Sequence, residues 1–91
     1  MRQYGVYILA SRTRRLYIGV PNSVPMRVAQ HRKGEHGFTA RYRIARLVYC
    51  EFCHDVRDAI AREKQLKGWT RKPKMDLVSS ANPTWDDLLP P

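Results

Sequence analysis

Long apolar runs are missing from this chain. No stretch approaches the roughly 20 apolar residues that a membrane-spanning helix needs, which excludes such a helix. Arg2 is not followed by an apolar run and a small-residue cleavage site, so no signal peptide is predicted. These absences predict a cytoplasmic protein that does not act in a membrane.

Acidic side chains are also scarce. Eight Asp and Glu residues stand against 17 Lys and Arg, which gives a formal net charge of +9 and a pI near 10.2. So basic a chain of 91 residues is typical of a domain that binds a polyanion. Nucleic acid is the leading candidate partner. An acidic membrane surface is the alternative, but the sequence contains no basic amphipathic anchor for it.

Cysteine is nearly absent, with Cys50 and Cys53 as the only two. Their C-x-x-C spacing suggests a metal or redox site, but it falls in a strand-like run. Residues three apart on a strand point to opposite faces. A four-ligand zinc site would lack a partner even with His54. Inert, partly buried thiols are therefore predicted, with structural zinc as the alternative.

The chain begins with a predicted β-hairpin, formed by residues 3–9 and 15–20. If Ser11-Arg12-Thr13 is the loop, paired residue numbers sum to 24, so Tyr7 faces Tyr17 and Gly5 faces Gly19. Because side chains alternate along a strand, these four residues share one face. The opposite face carries apolar residues suited to a core: Val6, Ile8, Leu16 and Ile18. The tyrosine face would leave room beside its glycines for a ligand or another segment.

Further elements follow the hairpin. A helix capped by Asn22 or Ser23 runs to about Lys33, Gly34–Ala40 forms an exposed loop, and residues 45–53 form a third strand. Asp55 caps a second helix over residues 56–67. A third helix covers residues 71–80, and residues 82–88 form a capped turn with a short helical tail anchored by Trp85.

These elements predict the fold class. It is α/β (α+β), with a small three-stranded, mainly antiparallel sheet flanked by helices in the order β-β-α-β-α-α. Residues 1–91 are expected to form a single domain. The mostly apolar first strand is a candidate for the centre of the sheet.

The second helix carries an unusually placed carboxylate. Its apolar stripe comprises Val56, Ala59, Ile60 and Leu66. Glu63 continues this stripe, where a carboxylate is costly unless it is paired or binds a cation. A salt bridge to an arginine is one interpretation, and a metal ligand or catalytic acid or base is the other.

Five polar residues form a chemically complementary set: Tyr7, Tyr17, Arg27, His31 and Glu63. A carboxylate can bind Mg²⁺, an arginine can hold phosphate oxygens, and a tyrosine or histidine can handle protons. These are the components of metal-assisted phosphodiester hydrolysis.

The spacing of these residues resembles that of the GIY-YIG nucleases. Gly5-Val6-Tyr7 and Tyr17-Ile18-Gly19 resemble the two halves of the motif, with valine in place of the first isoleucine. Arg27 and His31 match the family's helix arginine and a histidine of many members. Glu63 matches the metal-binding glutamate, and Asn82 is a weaker match to a late asparagine. The likeness covers nearly the whole chain and is nearest to the small stand-alone branch, similar to the N-terminal endonuclease domain of the repair protein UvrC.

The resemblance implies a metal-dependent DNA endonuclease acting in repair or recombination. Glu63 would hold Mg²⁺ (or Mn²⁺), Arg27 would stabilise the transition state, and Tyr17 beside Tyr7 would deprotonate or position the attacking water. His31 would relay the proton or contact phosphate. A non-catalytic nucleic-acid-binding module on the same scaffold is the alternative function.

Binding residues are predicted outside this set. Phe38 and the segment Arg41-Tyr42-Arg43 mix aromatic rings with cations and could stack the bases of single-stranded or structured DNA. The other residues assigned to nucleic-acid binding are Lys64, Lys67 and Asn82.

Overall fold

The structure is a computed structural model that describes residues 4–20, 24–34 and 37–89. Its strands and helices are β1 (Tyr4–Ala10), β2 (Leu16–Gly19), α1 (Val24–Arg32), α2 (Gly37–Arg41), β3 (Arg46–Cys53), α3 (Val56–Gly68) and α4 (Arg71–Ala81). The predicted fold class is confirmed. The three strands form one antiparallel sheet in the order β2-β1-β3, an order that the sequence left open, and the first strand, the candidate for the centre, is central.

The predicted register of the hairpin is wrong by two residues. Tyr7 pairs with Gly19, and Leu9 pairs with Tyr17. The loop is longer than expected because Ser11 and Arg15 close it: the Ser11 amide donates to the Arg15 carbonyl, and the Arg15 amide donates to Ser11 Oγ, each at 3.0 Å. A shift of two residues leaves every side chain on its predicted face, because the strand period is two.

Both faces of the sheet are covered by helices. One core layer, the α3/α4 layer, contains Val6, Ile8, Ala10, Ile18, Val48, Ala59, Leu66, Val78 and Trp85. The opposite layer, the α1/α2 layer, contains Tyr7, Leu9, Val28, Ile44 and Leu47. The tyrosine face is therefore not the open surface that the sequence suggested, since Tyr7 is completely buried.

Part of the predicted exposed loop Gly34–Ala40 is helical. After α1, Gly34 adopts the left-handed conformation, with φ 77°. The short helix α2 begins at Gly37. Thr39 of α2 is buried. The predicted N-cap residues of α1, Asn22 and Ser23, lie outside the described residues.

The helix α3 packs on a narrower stripe than predicted. Asp55 caps it, accepting the amide proton of Arg57 at 2.8 Å. Ala59 and Leu66 are buried, but Val56 and Ile60 are exposed. The two buried residues are seven positions apart, which is about two helical turns. They therefore lie on the same side of α3, and only this side packs against the core.

The C-terminal segment packs without forming the predicted helical tail. Residues 82–89 are turns and bends. Trp85 is buried, as predicted, and its indole N–H donates to Ser79 Oγ at 2.9 Å. The Leu88 amide donates to the Leu47 carbonyl at 2.7 Å, which attaches this segment to the outer edge of β3.

The two cysteines are free and lie on opposite sides of β3. Cys53 packs against the α3/α4 layer and Cys50 against the α1/α2 layer. Burial, with a smaller contribution from Glu51, raises the pKa of the Cys50 thiol to about 11. This arrangement supports two inert thiols rather than a metal or redox site shared by both cysteines.

An ion pair joins β3 to α3. Arg62 Nε donates to Glu51 Oε1 at 2.8 Å, and Tyr49 donates its hydroxyl proton to Glu51 Oε2. Burial alone would raise the pKa of Glu51, but the hydrogen bonds from Arg62 and Tyr49 outweigh it and lower that pKa.

In the ranges that the structure describes, every helix falls short of the length and apolar character of a bilayer crossing.

The lowered pKa makes this pair a test of acid stability. Its contribution is present above the unfolded pKa and is lost as the pH falls through the folded one. Glu51→Gln should lower the free energy of unfolding by about 1 kcal/mol at pH 7. The difference from wild type should shrink at an acidic pH below the lowered pKa of Glu51, because the wild-type carboxyl group is then protonated and as uncharged as the glutamine amide. Urea unfolding at both pH values measures this, and a pH-independent loss would contradict it.

Candidate active site

Tyr7 is the centre of the site. It lies on the central strand β1 and is fully buried. Its hydroxyl is 2.8 Å from His31 Nε2, in a buried hydrogen bond between the sheet and α1. The phenol therefore has a fixed position rather than being free in solvent.

His31 joins three elements around that phenol. It is buried near the end of α1, and its Nδ1 is 2.8 Å from Thr39 Oγ1 of α2. The ring of Tyr17, from β2, meets the imidazole edge-on with centroids 4.8 Å apart. Tyr7 and Tyr17 have centroids 6.2 Å apart. The structure thus brings together three of the five predicted catalytic residues.

Thr39 is a site residue that the sequence analysis missed. It fixes the histidine ring from the side opposite Tyr7. A hydrogen bond of this kind determines which ring nitrogen carries the proton. The sequence predicted an exposed loop here, because a single threonine that follows two closely spaced glycines gives no periodic signal.

The environment of Tyr7 keeps its phenol protonated. Burial is the main cause that raises its pKa, and the neighbouring Tyr17 and Glu63 raise it further, while Arg27 opposes them. A phenol with a strongly raised pKa is a poor base at neutral pH and a good hydrogen-bonding group.

Arg27 and Glu63 lie in different layers of the fold. Arg27 lies one turn before His31 on α1, and Glu63 lies on α3, across the sheet. Both are half-buried, and both act on the pKa of Tyr7. The direct contacts thus join Tyr7, Tyr17 and His31, whereas Arg27 and Glu63 act on the Tyr7 phenol through their charges.

Glu63 is paired with a lysine rather than with an arginine. Lys67, one turn later on α3, lies 3.5 Å from Glu63 Oε2. The lysine side chain is 55% exposed, so this pair is of the surface type that contributes little stability. Such a partner leaves the carboxylate accessible to another cation.

The residues present fit a magnesium ion held mainly by substrate. Among the described residues, no cluster of three or more His, Cys, Asp or Glu side chains could hold a metal. Mg²⁺ does not need such a cluster, because it is commonly held by one or two carboxylates, substrate phosphates and waters. Glu63 would supply one carboxylate, whereas zinc would require more protein ligands.

The predicted nucleic-acid-binding residues divide into two groups. Arg41, Arg43, Lys64 and Lys67 are exposed and accessible to a polyanion. Tyr42 is half-buried, and the Arg15 guanidinium covers its ring at 3.9 Å from the centroid. The expectation that Tyr42 stacks a base has no support from this packing, because that ring face is occupied.

Asn82 has a structural position. It is buried, its Nδ2 donates to the carbonyls of Val48 and Asp86, and its Oδ1 accepts from the Asp86 amide. These bonds hold the C-terminal turn against β3. Both amide protons are used within the fold, and the assignment of Asn82 to nucleic-acid binding stays a prediction.

Comparison with known proteins identifies the family. A family model described as the GIY-YIG catalytic domain matches residues 3–76. The chain belongs to the GIY-YIG family. The matched range contains all five predicted catalytic residues and ends before Asn82.

Relatives of similar size belong to the same group of small GIY-YIG proteins. The chain is 38% identical over 79 residues to a UPF0213 protein of Clostridium perfringens, covering 82% of each. It is 33% identical over 79 residues to a UPF0213 protein of Staphylococcus aureus, covering 86% of this chain and 96% of that protein. The solution NMR structure of a UPF0213 protein from Bacillus halodurans aligns with a TM-score of 0.59 at 26% identity, covering 93% of this chain and 92% of that one. The family implies a nuclease fold with DNA as substrate, and the relatives' names give no specific activity.

Proposed function

We propose that this GIY-YIG protein is a metal-dependent endonuclease that hydrolyses phosphodiester bonds in DNA. The observation that carries the proposal is the buried Tyr7–His31 hydrogen bond, with Tyr17 packed on the imidazole. A purely structural tyrosine would need no such collection of polar groups around it. A cytoplasmic location and a role in repair or recombination are part of the same proposal.

Arg27 would bind the scissile phosphate. A guanidinium offers paired N–H donors that match two phosphate oxygens, and it stays charged at any physiological pH. Negative charge develops on those oxygens in the transition state, so a fixed cation stabilises it more than the ground state. The net charge of +9 would favour the approach of the substrate as a whole.

Tyr17 and His31 would handle the attacking water. Tyr17 is less buried than Tyr7, so its hydroxyl is the one that can meet a water molecule. The imidazole beneath it is oriented by Tyr7 and Thr39 and can accept or pass on a proton. Tyr7 would act by positioning, because its raised pKa keeps it protonated.

Glu63 would hold the Mg²⁺ ion, with Mn²⁺ as a substitute. The bound ion would supply Lewis-acid stabilisation of the phosphoryl group and the leaving oxygen. The half-exposed Lys67 would give way to the ion, since its contact with Glu63 is long and largely solvated.

A nicking assay tests the proposal. Purified protein is incubated with supercoiled DNA, linear duplex and single-stranded DNA, in Mg²⁺, in Mn²⁺ or in EDTA. We expect cleavage with either metal and none with EDTA. Comparison of the cleavage rates shows whether the preferred substrate is single-stranded or structured DNA or long duplex DNA. Salt-dependent binding without cleavage on any substrate would instead identify a non-catalytic DNA-binding module.

A further inference from the structure

We propose that the loop between β1 and β2, together with the start of α4, binds the phosphodiester backbone of the DNA strand beside the scissile phosphate. This loop, residues 11–15, is internally braced. Ser11 is buried, its carbonyl accepts from the Arg14 amide at 3.0 Å, and its hydroxyl lies 3.1 Å from Thr13 Oγ1. The proposal rests on the proposed function, because it assumes DNA as the ligand of the main site.

Aromatic rings from both core layers hold the two loop arginines. The Arg15 guanidinium lies 3.9 Å from the centroid of Tyr42, which packs on the α1/α2 layer. The Arg14 guanidinium lies 4.5 Å from the centroid of Trp85, in the α3/α4 layer. Stacking restricts these long side chains before any ligand arrives, which lowers the entropy lost on binding.

A polar pocket of about 340 Å³ lies against this loop, lined by Thr13, Arg15 and Arg71. Arg71 is the first residue of α4, so the pocket is formed by two separate elements. Its lining contains two cations and no carboxylate. Across the described residues neither arginine has an ion-pair partner, whereas Asp87 in the C-terminal segment is already bound by Arg32 at 2.7 Å. The charge of the pocket is therefore available to an anionic ligand.

The position of this pocket suits a continuous DNA strand that also passes through the candidate active site. Arg15, the last residue of the loop, precedes Tyr17 of β2 by two positions, and its guanidinium stacks on Tyr42, which lies in the same core layer as Tyr17. Two strand residues span about 7 Å. That is roughly two nucleotide rises of 3.4 Å along one strand of B-DNA. A strand with its scissile phosphate at Tyr17 would therefore bring a neighbouring phosphate to Arg15.

Binding measurements with matched variants test the proposal. Fluorescence anisotropy with labelled single-stranded and duplex DNA in EDTA gives Kd at a series of KCl concentrations, for Arg15→Gln, Arg71→Gln and the double variant. Each lost phosphate contact should reduce the slope of log Kd against log salt by about 0.7–0.9. At 0.1 M salt this corresponds to a Kd roughly five- to eightfold higher for each single variant.

Arg57→Gln is the charge-matched control. Arg57 is 87% exposed on the first turn of α3, near the end of β3 that lies opposite the hairpin loop. The Arg57→Gln substitution should change the Kd for DNA by less than about twofold. Arg15→Lys keeps the charge without the planar stacking, so it should restore the slope if Arg15 contacts phosphate.

The outcomes separate this proposal from the proposed function. If the double variant keeps the wild-type salt slope, or weakens binding no more than Arg57→Gln, the phosphate-binding loop is wrong, whatever the nicking assay gives. If Arg15→Lys binds as weakly as Arg15→Gln, Arg15 acts on packing alone and the proposal fails. A reduced slope in a protein without metal-dependent cleavage would support the loop and reject the nuclease.

Discussion

Glu63→Gln should reduce metal-dependent DNA cleavage by about 10³-fold, the equivalent of about 4 kcal/mol of transition-state stabilisation. The substitution keeps the shape of the side chain and removes its charge. Among the predicted catalytic residues Glu63 is the only carboxylate, so no neighbour in that set can replace it as a magnesium ligand. Steady-state nicking rates at saturating Mg²⁺, and again in Mn²⁺, measure the loss, and neither metal should restore the rate.

The same variant should bind DNA at least as tightly as wild type when EDTA is present. Without a cation, the carboxylate repels the phosphate that Arg27 attracts, so its removal takes away a repulsion. Stability should change by no more than about 0.5 kcal/mol, because the contact with Lys67 is long and half-exposed. A loss of activity through unfolding is thereby distinguished from a loss of the metal site.

Asp76→Asn provides the matched control for this substitution. Asp76 pairs with Lys72 one turn away on α4 at 2.9 Å, and both side chains are exposed. The charge change and the kind of ion pair are the same as at Glu63, but the residue lies outside the site. Its nicking rate should equal that of wild type. Full cleavage by Glu63→Gln would overturn the metal assignment.

The side-chain faces of the hairpin could be predicted because they depend only on a period of two. The register could not, and the reason is local: Ser11 folds back onto Arg15 and extends the loop to five residues. The error moved the partner of Tyr7 from Tyr17 to Gly19 without changing which residues share a face. The grouping of the tyrosines was therefore correct although the pairing was not.

The helix α2 and its contribution to the site could not be predicted. A helix of five residues is too short for apolar periodicity and too short to be stable alone. Its buried Thr39 lies against His31, and a contact of this kind comes from tertiary structure rather than from sequence. Tyr42 illustrates the same limit, because the arginine that covers its ring is 27 positions earlier in the chain.

Glu63 could be predicted in part. The sequence placed it on the buried stripe of α3, and its half-buried position between Ala59 and Leu66 agrees with that. The lysine that pairs with it was not anticipated, although a spacing of four residues on a helix permits this contact. The predicted apolar stripe of α3 was wider than the buried one, since Ile60 is 41% exposed.

Gly19→Ala should destabilise the protein by about 2–3 kcal/mol, which is a large loss for one methyl group. A Cβ atom at this position would lie 2.5 Å from Tyr7 Oη and 2.6 Å from two of its ring carbons, Cε1 and Cζ. Tyr7 cannot easily move aside, because it is fully buried and bonded to His31. The space that the sequence analysis assigned to a ligand is thus filled by the phenol of the site. Thermal unfolding should show a Tm lower by roughly 10–20 °C.

Gly68→Ala is the control for the loss of a glycine. A Cβ on Gly68, the last residue of α3, would meet nothing within 4 Å, so this variant should be neutral or slightly stabilised. If both alanine variants lose the same stability, the cause is the general effect of the substitution and not a clash with Tyr7.

A double-mutant cycle with Tyr7→Leu isolates the clash. Leucine lacks the ring carbons and the hydroxyl that the new methyl group would meet, so Gly19→Ala should cost at least about 1 kcal/mol less in the Tyr7→Leu background. Urea unfolding of the four proteins gives this coupling energy, and a value near zero would contradict the close packing of Tyr7 on Gly19. The cycle also bears on function, because the position of the Tyr7 hydroxyl at His31 depends on the missing side chain of Gly19. Gly19→Ala protein that still folds should therefore cleave DNA more slowly than wild type, while its salt-dependent binding through Arg15 and Arg71 persists.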